Sequence, residues 1–157
     1  MAPTLLFDLS RVDFSKVQFD ASAIEAVNPH RGDMRLLDGV YWISDDLNEA
    51  VAYKDVRDDE FWVPGHIPGR PIFPGVLMIE AAAQLASFLT LKRMPNLAFM
   101  GFAGVDDVKF RGMVTPGDRL VLIGHSLEFR PRRCICAAQA LLNGTIVFEA
   151  TITGMPM

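Results

Sequence analysis

A histidine in a stiff loop, followed by a carboxyl on an apolar helix, makes a candidate acid–base pair, and His66 and Glu80 stand in that relation. A neutral imidazole titrates near working pH and can take a proton. A carboxyl among apolar neighbours is favoured in its protonated, donating form. Together they could serve as general base and general acid. Negative charge gathering on a bound substrate would need donors. Gly75 and Val76 open the helix, so their backbone N–H groups lack intrahelical partners and form a candidate oxyanion site. Glycine at 75 would also let a substrate approach the backbone closely. Gln84, one turn beyond Glu80, could hydrogen-bond the carboxyl and orient it. Plainer readings stand beside these: His66 bonding its own loop, Glu80 an exposed carboxylate near the helix start, Gln84 a polar residue at a subunit interface. A scheme in which His66 handles both protons while Glu80 orients water or hydroxyl stays open. No step demands a metal or an organic cofactor.

The elements that must hold these groups are legible around them. Pro64, Pro68, Pro71 and Pro74, with Gly65, Gly69 and Gly75, exclude both helix and central strand before residue 75. From Val76 to Thr90 no Gly, Pro, Asn or Asp occurs, and Lys92, Arg93 and Pro95 close the run. That pattern predicts a helix with basic residues at the negative end of its dipole. It is apolar nearly all round, as a buried helix is, and is expected to be too short and interrupted to span a bilayer. Glu80, Gln84 and Ser87 share one face of it.

Residues 1–20 mix apolar and charged types without a period and are expected to form an extension packed on the domain edge. A single domain follows over 21–157. A short helix is expected over 21–27, after Asp20, and strands over 36–43 and 50–56 with a hairpin turn between them. Further strands are expected over 98–110, 118–129, 133–142 and 145–153. Asn143-Gly144 between the last two is a strong hairpin signal. One long apolar helix among antiparallel strands is best buried by a sheet wrapped around it, which makes the fold class α+β.

Composition narrows the function classes. The chain has 157 residues, half of them apolar, with a net charge of −4, and a pI of about 5.3, which argues against nucleic-acid binding. The start, MAPTLLFDLS, lacks the basic and long apolar regions of a signal peptide. Cys134 and Cys136 read as buried small hydrophobes in a reducing compartment, and the cytoplasm is the expected location. His30 is expected to fix the loop after the first helix and His125 to sit mid-strand; three scattered histidines make no metal site.

The stretch His66-Ile67-Pro68-Gly69-Arg70-Pro71-Ile72-Phe73-Pro74-Gly75-Val76, then Glu80-Ala81-Ala82-Ala83-Gln84, carries a more specific signal. It resembles the active-site motif of the 3-hydroxyacyl-[acyl-carrier-protein] dehydratases of the FabZ type, H-F-P-G-x-P-x-x-P-G-V followed by a helical E-A-x-A-Q. Only Ile67 departs from it. Pro29-His30-Arg31 resembles the family's P-H-R-Y-P-F, and the run from Lys109 to Asp118 resembles its K-F-R-x-x-V-x-P-G-D. The likeness covers about residues 21–154. Gly32-Asp33-Met34, and Arg35 at a usually apolar position, depart from it.

The resemblance implies the hotdog fold and conversion of a 3-hydroxyacyl thioester to its trans-2-enoyl product, in fatty acid synthesis or a related lipid or polyketide pathway. His66 is then the base, Glu80 the acid, and no cofactor is used. The implied partner is acyl carrier protein bearing a phosphopantetheine-linked acyl chain, with neither nucleic acid nor membrane. A homodimer, or a trimer of dimers, is implied, in which the histidine and carboxyl facing one substrate come from different subunits. Phe73, Phe88, Phe99 and Phe102 are candidates for an apolar acyl tunnel. Arg111, Arg130, Arg132 and Arg133 are candidates for docking the acidic carrier. Three rivals remain. A thioesterase on the same fold would align water on the carbonyl, a non-catalytic subunit would only bind carrier protein, and a dehydratase that also isomerises would carry Asp at position 80.

Overall fold

Why one helix can be apolar on every side becomes plain from what surrounds it. The computed structural model describes all 157 residues. Its strands are β1 (Phe19–Asp20), β2 (Gly39–Ile43), β3 (Glu49–Asp55), β4 (Met100–Phe110), β5 (Arg119–Arg130), β6 (Arg133–Leu142) and β7 (Thr145–Pro156). They form a single antiparallel sheet in the order β1-β2-β3-β5-β6-β7-β4. Helix α1 (Ala21–Glu25) follows β1, and the long α2 (Gly75–Arg93) packs against β3, β4, β5, β6 and β7. This is the expected hotdog arrangement.

Alternation along the strands sorts side chains to two faces. Val40, Ala52, Leu122, Ala140 and Phe148 face α2 and join Ala81, Leu85 and Phe88 in a core of 27 buried residues. Tyr41, Val51, Ile123 and Leu141 point the other way and form a second apolar cluster with Val12. The extension over residues 1–20 therefore does not stop at the domain edge. It crosses this outer face, where Leu6, Phe7 and Leu9 pack. Gln139 fastens it, accepting from Leu6 N at 3.1 Å and donating to the Thr4 carbonyl at 2.9 Å. The physical reason is that the sheet is apolar on both faces and the outer one also needs a cover.

Local signals explain the boundaries. Asp20 caps α1 by accepting from Ala23 N at 2.9 Å. The Met94 N–H closes α2 on the Thr90 carbonyl, with Lys92 and Arg93 in the last turn. Asn143 and Gly144, with φ of 48° and 80°, make the two-residue turn between β6 and β7. One expectation needs correcting. With 19 residues and a mean hydropathy of 1.3, α2 is long and apolar enough to cross a membrane; its burial beneath the sheet, not its length, marks it as a core helix.

Cys134 and Cys136 are free and buried on β6. Burial pushes the Cys136 thiol up to about 12. Thiol titration of the folded protein at neutral pH should therefore leave Cys136 unmodified, with reaction only once denaturant is added. Prompt native-state alkylation at Cys136 would show that β6 opens locally.

Candidate active site

The polar face of α2 meets the segment that follows α1. Gln84 is 1% exposed and its amide is fully committed. Oε1 accepts from Leu36 N at 2.9 Å, while Nε2 donates to the Met34 carbonyl at 2.6 Å and to Glu80 Oε1 at 3.0 Å. With one acceptor and both donor hydrogens assigned, the amide can stand only one way round. Asn28 works from the other side, its Nδ2 donating to the Gln84 carbonyl and its Oδ1 accepting from Ser87 Oγ at 3.0 Å. The face shared by Glu80, Gln84 and Ser87 is thus answered residue by residue from 28–36. Arg35 has an account too, since its guanidinium pairs with Glu25 at 3.0 Å and donates to the Leu37 carbonyl at 2.7 Å.

Glu80 is less enclosed than its apolar helix suggested: its side chain keeps 28% exposure. It opens on a small cavity of about 50 Å³ whose walls include His30, Ser87, Met100 and Phe102. His30 is the residue that sequence reasoning under-read. Its Nε2 lies 3.5 Å from Glu80 Oε1, and its Nδ1 is buried without a partner. The loop is fixed not by His30 but by Arg31, whose guanidinium donates to the carbonyls of Asn28, His30 and Glu25, each at 2.8 Å.

Burial holds His30 below the ordinary histidine value of 6.5; Arg31 pushes the same way and Glu80 opposes both. The unfolded chain therefore takes up a proton at His30 before the folded chain does as pH falls. Stability is present above 6.5 and is lost as pH drops through the lowered folded value. Thermal unfolding followed between about pH 7 and pH 5 should show this slope, and His30→Gln should flatten it. Parallel slopes in the two proteins would remove His30 from the account.

His66 sits in the loop between Trp62 and α2. Its N–H donates to the Trp62 carbonyl at 2.8 Å, and its Nδ1 lies 2.7 Å from the Ile72 carbonyl. A carbonyl oxygen only accepts, so Nδ1 carries the hydrogen and Nε2 is left with its lone pair free. The loop-bonding reading and the basic reading are thus compatible. The next residue, Ile67, has φ of 56°, a region that β-branched residues rarely enter.

Helix α2 starts directly after Pro74, without any side-chain cap, so the first N–H groups, of Gly75 and Val76, stay open to a ligand. The space a Cβ would take at Gly75 is held by Phe110, whose ring carbon would lie 2.8 Å away. A side chain at 75 would have to displace that exposed ring.

Of the residues singled out, Glu80 and Phe102 share the cavity and Gln84 bonds Glu80 from behind it; His66 does not line that cavity within one chain. Phe73 and Phe88 do not line it either. Both are buried core, Phe73 edge-on to Trp62 at 5.5 Å and Phe88 edge-on to Phe19 at 5.2 Å. Phe99 is exposed and pairs its backbone with Met157. The arginines do not form one basic rim. Arg111 follows β4 at the Phe148 end of β7 and pairs with Glu149, whereas Arg130 and Arg133 share Glu128 at the other end of the sheet. Arg132 lies exposed in that same β5–β6 turn.

Comparison with known proteins identifies the family. Residues 28–151 match the family model described as a FabA-like domain. The 3-hydroxyacyl-[acyl-carrier-protein] dehydratase FabZ of Streptococcus pyogenes serotype M3 is 39% identical over 135 residues, spanning 85% of this chain and 96% of that one. The FabZ of Streptococcus mutans is also 39% identical, spanning 85% and 95%. Among solved structures, the dehydratase heterocomplex ApeI:P from Xenorhabdus doucetiae superposes with a TM-score of 0.72 at 21% identity, covering 85% of this chain and 90% of that one. A hypothetical thioesterase with coenzyme A from Streptococcus pneumoniae gives 0.59 at 13%, covering 75% and 84%. These two likenesses concern the fold alone. The sequence matches decide the family, and the chain belongs to the FabA-like dehydratases of the FabZ type.

Proposed function

We propose that His66 and Glu80 divide the two proton transfers of the family's reaction, which turns a 3-hydroxyacyl thioester on acyl carrier protein into the trans-2-enoyl thioester. The observation that carries this is the bond from His66 Nδ1–H to the Ile72 carbonyl. It leaves Nε2 as the only ring position able to accept the C2 proton. The open N–H groups of Gly75 and Val76 receive the thioester oxygen as negative charge builds on it.

The leaving hydroxyl takes its proton from Glu80. Gln84 donates to Oε1, and His30 lies against the same oxygen. An oxygen already accepting from an amide is the poorer seat for a proton, so the acid proton belongs on Oε2. Phe102, on the cavity wall, is the aromatic best placed to meet the acyl chain. The exposed Arg130, Arg132 and Arg133 at the β5–β6 turn offer the acidic carrier a docking edge. The protein works in the cytoplasm as a homodimer, alone or in a trimer of dimers.

Incubating the protein with 3-hydroxybutyryl- and longer 3-hydroxyacyl-carrier protein should yield the enoyl thioester, read by mass spectrometry of the phosphopantetheine arm. Free acid as the product would replace this reading with thioester hydrolysis.

A further inference from the structure

Beneath the loop that carries His66 lies a buried ion pair that the reaction chemistry does not use. Lys54 on β3 is 2% exposed in its side chain and Glu60 4%, and Lys54 Nζ stands 3.0 Å from Glu60 Oε2. Burying two charges is costly and contributes little net stability even when they are paired. What such a pair does provide is directional bonding, here to the segment that leads into the loop and to the loop's first residue. Glu60 Oε1 accepts from Arg57 N at 2.8 Å, and Oε2 accepts from Trp62 Nε1 at 3.1 Å. The ammonium of Lys54 lies over the Phe73 ring at 5.6 Å, and Phe73 meets Trp62 edge-on.

Trp62 and Phe73 are the two ends of the His66 loop. The Trp62 carbonyl receives the His66 N–H, and the residue before Phe73, Ile72, receives His66 Nδ1–H. Phe73 N is itself tied to the Val114 carbonyl at 2.8 Å. Between these ends the backbone passes through the strained φ of Ile67, a conformation that persists only where the surroundings enforce it. From this network we infer that the Lys54–Glu60 pair is a positioning device, clamping both ends of the loop so that the imidazole of His66 keeps its tautomer and its aim. The inference rests on the reading of His66 as the base.

Lys54→Met alone would strand a buried carboxylate and test folding more than function. The informative protein is the double variant Lys54→Met with Glu60→Gln, which removes both charges and keeps one acceptor for the loop. The reaction is followed as enoyl-thioester formation from 3-hydroxyacyl-carrier protein. The folded variant should lose about 10- to 100-fold in kcat, with KM little changed. Its acid limb in the pH profile of kcat/KM should move to lower pH, because an imidazolium without its carbonyl acceptor gives up its proton more readily.

A folded double variant with a wild-type profile overturns the clamp. So does one that loses rate without any shift of the acid limb, since a merely structural lesion would do that. Should the double variant not fold, Trp62→Phe, which removes the indole donor to Glu60 together with part of the buried ring but keeps an aromatic beside Phe73, takes its place: the same loss of kcat and the same shift of the acid limb support the clamp, and the absence of either overturns it. His66→Ala measured alongside separates the failures: if it stays active, the base assignment has failed; if it is dead while the clamp variants are normal, only the clamp has.

Discussion

Alanine in place of His66 is expected to lower kcat by about 10²- to 10⁴-fold, the range general acid–base catalysis contributes, with KM little changed. The side chain's one hydrogen bond in the fold is Nδ1–H to the Ile72 carbonyl, and that acceptor lies beside a half-exposed ring where water can replace the donor. The loop keeps its other ties at Trp62 and Phe73, so circular dichroism and melting should scarcely change. Glu80→Gln should give a loss of similar size by another route. Glutamine matches the carboxyl in shape and can still accept from Gln84, but it cannot give up a proton at the position of Oε2. A His66→Ala enzyme within a few-fold of wild type would assign the base elsewhere, with His30, the imidazole that lines the cavity, the next candidate.

The sequence displayed α2, the proline-rich loop and the β6–β7 turn clearly, because each is written in local chemistry. The α2 run lacks breakers, the loop is full of them, and Asn143-Gly144 accepts positive φ. The outer face of the sheet was not legible. Tyr41, Val51 and Ile123 look like any inward strand residue until the strand order shows that α2 occupies only one face. His30 was hidden for a related reason. Its bond to function runs through Glu80, far along the chain, and the only local hint was the Pro29-His30-Arg31 likeness. The aromatic candidates were hard to sort for the opposite reason. Phe73 and Phe88 are buried core while Phe99 and Phe102 are exposed, and burial separates one residue type in this way only after folding. Lys54 and Glu60 gave no signal at all, since charged residues in strands and turns are ordinarily solvated.

Mixed dimers offer the other large effect. The two halves of the site border on β4, which ends the sheet and has one edge unpaired. Phe102 of β4 walls the cavity of Glu80, and Phe110 presses against Gly75 at the start of α2, where the His66 loop ends. Both rings are exposed, at 50% and 53%. Opposite Gly154 and Phe148 of β7, they lie about 20 Å apart along the strand, so on the proposed assignment one chain holds its two half-sites at opposite ends of β4. Antiparallel pairing of β4 with its copy about a twofold axis near Asp106 would set Phe102 of one chain opposite Phe110 of the other. The carboxyl of one subunit would then face the imidazole of its partner. A dimer carrying His66→Ala in one subunit and Glu80→Gln in the other concentrates both lesions in one site and leaves the second whole. Isolated with two affinity tags, it should recover about half the wild-type rate, although each variant alone is nearly inactive. If histidine and carboxyl came from the same chain, both sites of the mixed dimer would be damaged and its rate would stay at the level of the single variants.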